Sequence, residues 1–290
     1  MTWLVVVIAG IAGGLAFGLL AFGVAAAGRS AALELTLVPF AGAMVGIVGG
    51  TAVGRWSGLG PLGGALLLVP VVMSAAVALP RLVRAWTPAD AGLRPIVAVA
   101  WLLAFCLGLR HLAGTGRTPV GSAVEGVHVS DTLLANRSLL ATTLPVALAW
   151  TVLAVLFLVP GLRRRWDLLA TDSTLAELWG IDPQRYEVLA TAATAGAGVM
   201  AGIGWAGVVG ASASDLGLLF LGVAAVRAIG GNRLSVGAPL AVGLALGVIE
   251  RVGAQVRPGL GWMVVASAGL LAAALRNRLR PLSGEAEIVA

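Results

Sequence analysis

Lysine is absent from the 290 residues, and charged side chains of every kind make up only 11% of them. An ordinary soluble domain carries about 25% charged residues. A chain this poor in charge lacks the polar groups to cover a water-facing surface. Disorder is excluded by the reverse argument, because 59% of the residues are hydrophobic and stay poorly solvated when exposed. Cysteine occurs once, at Cys106, so no intrachain disulfide can form. Histidine occurs twice, at His111 and His128, too few for a buried His/Cys metal site. Without lysine the chain cannot complete a G-x-x-x-x-G-K-[ST] phosphate loop, so it does not itself hydrolyse ATP by that device.

What remains is apolar and periodic, with a mean hydropathy of +0.99. The pattern predicts an all-α polytopic transmembrane bundle, a single membrane domain over residues 1–290. Apolar segments run over about Trp3–Ala27, Ala32–Val53, Leu59–Leu79, Pro95–Leu109, Leu139–Val159, Val188–Val209, Leu216–Ala228, Val236–Ile249 and Gly261–Leu275. That gives eight or nine spans, since the Leu216 and Val236 segments are short for a ~30 Å hydrocarbon core. The first segment ends in Ala25-Ala26-Ala27, which resembles a cleavage site. No positive charge precedes it, and it outruns the usual ~7–15-residue signal core, so it reads as a span. Two polar stretches interrupt the pattern, an outer loop at about 110–138 and a cytoplasmic loop at about 161–187.

The 19 basic residues are all arginine and give a net charge of +6. They lie in short runs between apolar segments, which suits membrane orientation and not nucleic acid. With nine spans and Arg163-Arg164-Arg165 in the cytoplasm, that side also holds Arg29, Arg81, Arg84, Arg94, Arg185, Arg227, Arg233, Arg276, Arg278 and Arg280. The outer side keeps only Arg55, Arg110, Arg117, Arg137, Arg251 and Arg257. The positive-inside rule then sets the N-terminus outside and the C-terminus inside a plasma membrane.

Glycine is abundant, at 41 residues, and four-residue spacing lets helix backbones approach closely. Gly42, Gly46, Gly50 and Gly54 form one row and predict a packing face. Gly10, Gly14 and Gly18, Gly198 and Gly202, and Gly243 and Gly247 repeat the spacing, either as helix crossings or as the ordinary glycine content of membrane helices.

The cytoplasmic loop is the most specific stretch. Arg163-Arg164-Arg165-Trp166 predicts an anchor at the end of the fifth span. Asp172 or Ser173 is placed to cap a short helix, with Thr174 to Trp179 following. Leu175, Leu178 and Trp179 share one face at i, i+3 and i+4, and Glu177 sits in the early turns where the helix dipole favours an acid. Gly180 is suited to end the helix in the left-handed conformation. An amphipathic helix of this kind either lies on the headgroups or docks a cytoplasmic partner.

The run Ala176-Glu177-Leu178-Trp179-Gly180-Ile181-Asp182 resembles the Ala-x-x-x-Gly-Ile-Asn/Asp signature of branched-chain amino acid ABC transporter permeases of the LivH type. The following Ala193-Thr194-Ala195-Gly196-Ala197-Gly198-Val199-Met200-Ala201-Gly202 is similar to that family's small-residue helix. Gly14-Leu15-Ala16-Phe17-Gly18-Leu19-Leu20-Ala21-Phe22-Gly23-Val24 resembles its first helix, and Gly230-Gly231, Gly237-Ala238 and Glu250 its "GG…GA…E" segment. The resemblance implies an importer permease that works with a second permease subunit, two ATP-binding subunits and an extracytoplasmic substrate-binding protein. It implies no cofactor on this chain, with ATP held by the partners. Residues 172 and 174–180 (Asp172, Thr174, Leu175, Ala176, Glu177, Leu178, Trp179, Gly180) would form the ATPase-coupling helix. The cargo implied is a small amino acid of branched-chain type or a similar amide such as urea.

Three residues mark a possible substrate path, Glu34, Thr36 and Pro39. Glu34 is an acid at the start of the second span, a functional candidate unless it sits at the interface near Arg29. Pro39 either breaks the second span and frees backbone groups or makes a tolerated kink. Glu250 and Arg251 read as a boundary pair at the end of the eighth span. The competing function is a secondary transporter or channel for a small solute. It would need intramembrane ionisable groups, and only Glu34 and Glu250 are on offer. An enzyme finds no catalytic set or metal cluster in the spans.

Overall fold

The computed structural model describes residues 3–27, 37–86, 132–209, 216–230, 236–257 and 259–279, and isolated helical positions 100, 104 and 108. Every regular element among the described residues is a helix. In chain order they are α1 (Trp3–Ala27), α2 (Val38–Ser57), α3 (Gly60–Trp86), α4 (Thr132–Leu158), α5 (Pro160–Thr171), α6 (Ser173–Leu178), α7 (Pro183–Val209), α8 (Leu216–Gly230), α9 (Gly237–Val256) and α10 (Leu260–Leu279).

Helices α1 and α7 form the interior. Helix α1, and α7 beyond its first two turns, are apolar all round, as a helix must be when neighbours cover every face. Helix α1 packs against α9, α7, α4 and α8, while α7 takes α2, α3 and α4. Helix α10 closes the far side against α8 and α9. Three helices are long and apolar enough to cross a membrane, Val6–Ala27, Pro183–Ala206 and Gly237–Val256. The pair Val146–Leu158 and Pro160–Leu169, bent by 69°, makes a fourth if it counts as one broken span. Apolar helices of 10–17 residues lie at Val38–Gly54, Gly63–Ala78, Gly217–Gly230 and Leu260–Arg276.

Most helices outrun their hydropathic edges. The eighth apolar segment stops at Ile249, but α9 continues through Glu250 and Arg251 to Val256. Helix α3 reaches Trp86, seven residues past Leu79. Backbone hydrogen bonding does not stop where hydropathy falls, and arginine and glutamine are good helix formers. For the same reason α4 begins at Thr132, inside the stretch at about 110–138 expected to be a loop. The largest correction falls on residues 161–187, which form the greater part of α5, all of α6 and the first turn of α7, not an open loop. The fourth apolar segment and both histidines lie outside the described residues, apart from positions 100, 104 and 108.

Glycine decides how closely the inner helices meet. A Cβ at Gly10 would lie 2.7 Å from the Val248 Cα, and one at Gly14 2.8 Å from the Leu244 Cα, while Gly243 and Gly247 face back onto α1. Gly42 and Gly46 lie against Ala195 and Val199 of α7, and Gly198 and Gly202 lie against Pro39 and Ala43 of α2. Gly50 and Gly54 instead meet Gly64 of α3. The row on α2 therefore serves two neighbours. Each step of four residues advances about 40° around a helix of 3.6 residues per turn, so a four-member row winds from one partner to the next.

Candidate functional site

The site is built where α4 ends. Pro160 has no N–H to offer the Leu156 carbonyl, and a residue before proline is driven out of the α region. Val159 accordingly takes φ −58° and ψ 127°, and α5 leaves at 69° to α4. The freed Leu156 oxygen is recovered from a distance, because the Trp166 indole Nε1 donates to it at 3.1 Å. Trp166 is fully buried, tilted against Phe157 at 4.6 Å and set edge-on to Tyr186 at 4.8 Å. It is not the surface anchor expected from its place after three arginines. The arginines face outward while Trp166 and Leu169 point into the core, so α5 is itself an amphipathic helix.

Helix α6 is held at both ends. The Asp172 Oδ1 accepts from the Thr174 and Leu175 amides at 2.9 and 3.0 Å, which makes Asp172 the cap. At the other end Gly180 has φ +73°, its amide donates to the Glu177 carbonyl at 2.9 Å, and the Ile181 amide donates to the Ala176 carbonyl at 3.0 Å. Those two bonds form a Schellman motif, and Ile181 packs beside buried Ala176. Asp182 then caps α7, accepting from the Gln184 and Arg185 amides at 3.0 and 3.4 Å, with Pro183 as the first helical residue. Six residues alone would not hold a helix in water. Two caps and the Ala176 contact do so here.

The helix turns its larger apolar side chains away from the protein. Leu178 is 80% exposed, Trp179 75% and Leu175 41%. The face read from sequence as a stripe exists but is left largely uncovered by the described residues, and small Ala176 is the residue that packs inward. Glu177 stands in the second turn near the C-terminal end, beyond the reach of the N-terminal dipole. A cleft of about 550 Å³ lies between α5, α6 and the start of α7, lined by Arg164, Arg165, Leu168, Leu175, Trp179, Gly180, Ile181 and Tyr186. The Arg165 Nη1 donates to the Tyr186 hydroxyl at 3.1 Å. Arg163 and Arg185 are taken by carboxylates, with Arg163 Nε 3.7 Å from Asp167 and Arg185 Nε 3.0 Å from Asp182.

Length, apolarity and helix content together decide the class. The chain is a helical membrane protein. No family model matches it, and no curated protein does. Among solved structures it is similar to PsaBC from Streptococcus pneumoniae in complex with Fab. The identity is 12%, the TM-score 0.49, and the alignment covers 91% of this chain and 89% of that one.

The path residues fare differently. Glu34 and Thr36 lie outside the described residues. Pro39 is buried in the first turn of α2, where its missing N–H has no helical partner to lose, so it neither breaks nor kinks the helix. The Glu250–Arg251 pair is not at a helix end. Glu250 is 5% exposed within α9, and its Oε2 lies 3.5 Å from the Arg251 Nε. Among the described residues no group of three or more His, Cys, Asp or Glu is placed to hold a metal ion.

The chain of rings from the cleft into the bundle was not read from the sequence. Tyr186 meets Trp166, Trp166 meets Phe157, Phe157 meets Phe22 of α1 at 6.3 Å, and Phe22 meets Trp150 at 5.4 Å. Trp150 Nε1 donates to the Leu15 carbonyl of α1 at 3.1 Å. Pro160 was the available signal: a proline four residues after Leu156 leaves a carbonyl in search of a donor.

Proposed function

We propose that this chain is the permease subunit of an ABC importer of the LivH type, and that α6 is the element that receives force from a separate ATPase. One observation carries the reading. Leu178 and Trp179 stand largely exposed at the end of a six-residue helix locked by Asp172 and the Gly180 turn. Exposed tryptophan and leucine on a rigid, preorganised projection suit the anchor of a protein interface. The chain has no phosphate loop of its own, so the energy comes from partners.

In this reading two ATP-binding subunits close on ATP and displace α6. Helix α5 is continuous with the aromatic series that reaches α1, so the displacement tilts α1 against its glycine-packed neighbours. A second permease subunit completes the pathway, and a substrate-binding protein delivers cargo on the outer face. The cargo is a small amino acid of branched-chain type or a similar amide, the N-terminus is outside, and the spans number eight or nine. Glu250 is the observation on the side of an ion-coupled secondary transporter, but its contact with Arg251 offsets the charge such coupling would use.

The test is co-purification of the chain with candidate ATPases, followed by ATP-dependent uptake in vesicles. Trp179→Ala and Glu177→Ala are expected to abolish association and uptake while leaving the bundle folded. Survival of both activities in both variants overturns the reading.

A further inference from the structure

We propose that the cleft between α5, α6 and the start of α7 binds one anionic phospholipid, with its phosphate on Arg164 and Arg165 and an acyl chain along Leu168, Leu175 and Trp179. The inference goes beyond the coupling role and does not depend on it.

Three observations carry it. The first is placement. If α4 stands along the membrane normal, a 69° bend lays α5 close to the membrane plane, with its arginines outward and Trp166 and Leu169 inward. A helix lying along the membrane plane at the end of a span, with its apolar face on the bundle, sets Arg164 and Arg165 at headgroup depth. The second is charge. Arg163 and Arg185 already face Asp167 and Asp182, whereas among the described residues no carboxylate pairs with Arg164 or Arg165. The Tyr186 hydroxyl that accepts from Arg165 still has its own proton to donate into the same cleft. Two planar guanidinium groups with a hydroxyl beside them match the oxygens of a phosphate diester. The third is the remaining wall, which is apolar: Leu168, Leu175 and a largely exposed Trp179. A soluble phosphate leaves that wall wet, but a lipid covers it. Leu178 is not part of the cleft wall and stays available to a docking partner, whereas Trp179 lies on both surfaces, so lipid and partner meet at that ring.

The experiment uses the purified full chain in neutral detergent. Dioleoyl phosphatidylglycerol is compared with dioleoyl phosphatidylcholine, and inorganic phosphate is tested separately. Phosphatidylglycerol is expected to raise the Tm by roughly 2–4 °C over phosphatidylcholine. The combined Arg164→Gln and Arg165→Gln variant is expected to lose that rise. The combined Arg163→Gln and Arg185→Gln variant removes the same charge and is expected to keep it. Absence of the rise in the wild type, its persistence in the first variant, or equal loss in both overturns the proposal. An equal rise with inorganic phosphate alone overturns the lipid assignment.

A second readout stands if the first variant fails to fold. Phosphatidylglycerol with brominated chains should quench wild-type tryptophan fluorescence more than brominated phosphatidylcholine, and Trp179→Phe should erase the difference. Equal quenching by both lipids overturns the proposal.

Discussion

The Trp166 indole nitrogen donates to the carbonyl oxygen of Leu156, the oxygen whose helical donor would have been the nitrogen of Pro160. The bend between α4 and α5 is thus closed by a side chain that reaches back ten residues. An unpaired carbonyl in a low-dielectric interior costs the full desolvation of that group. Trp166→Phe keeps an aromatic ring beside Phe157 but removes the donor together with part of the buried ring volume. It should lower stability by about 1–3 kcal/mol. Thermal unfolding in detergent reads the change, and an unaltered midpoint would mean that water or another donor takes over the Leu156 oxygen.

The glycine contacts predict a sharp positional contrast. At Gly46 a Cβ would meet the Val199 carbonyl of α7, so Gly46→Ala forces two backbones apart and should cost about 1–3 kcal/mol. Gly202→Ala should behave alike, because its Cβ would meet the Ala43 carbonyl of α2. Gly217 has open space around it, and Gly217→Ala should stay within about 1 kcal/mol of the parent. Unfolding midpoints of the three variants, taken in one detergent, check the order.

Capping of α6 is local and should fail locally. Asp172→Ala removes the acceptor for the Thr174 and Leu175 amides and should cost the helix about 0.5–2 kcal/mol. Gly180→Ala puts a Cβ at φ +73° and should cost about 1–2 kcal/mol. Amide hydrogen exchange should quicken over residues 173–181 in both variants and stay unchanged in α1 and α9. Quickened exchange throughout the bundle would mean that α6 is integral to the fold and not a docked projection.

Salt should separate the ion pairs. Arg163–Asp167 joins side chains 54% and 46% exposed, so its coupling should be within about 1 kcal/mol and vanish in high salt. Arg251–Glu250 joins side chains 22% and 6% exposed and should couple more strongly, with little salt dependence. Double-mutant cycles at low and high ionic strength give both numbers. Equal screening of the two pairs would mean that water reaches Glu250.

Much of this protein is legible in its residues because the bilayer is an undemanding reader. Apolar content alone identifies α1, α7 and α9, since a helix in lipid needs only length and the lack of charge. The ends of α6 were legible too, with the cap narrowed to Asp172 or Ser173 and Gly180 as the left-handed stop, because both act through neighbouring backbone groups. Residues far apart in the chain decided the rest. Nothing in the spacing of Gly42, Gly46, Gly50 and Gly54 says that the first two face α7 and the last two α3, because a row on a helix acquires partners only when other helices pack. Hydropathy treated residues 161–187 as a polar loop, and only the fold turned α5 onto its side with Trp166 inward and three arginines outward. The same local pattern made Leu175, Leu178 and Trp179 an apolar face. Whether that face would be buried depended on what stood opposite it, and the described residues leave most of it uncovered.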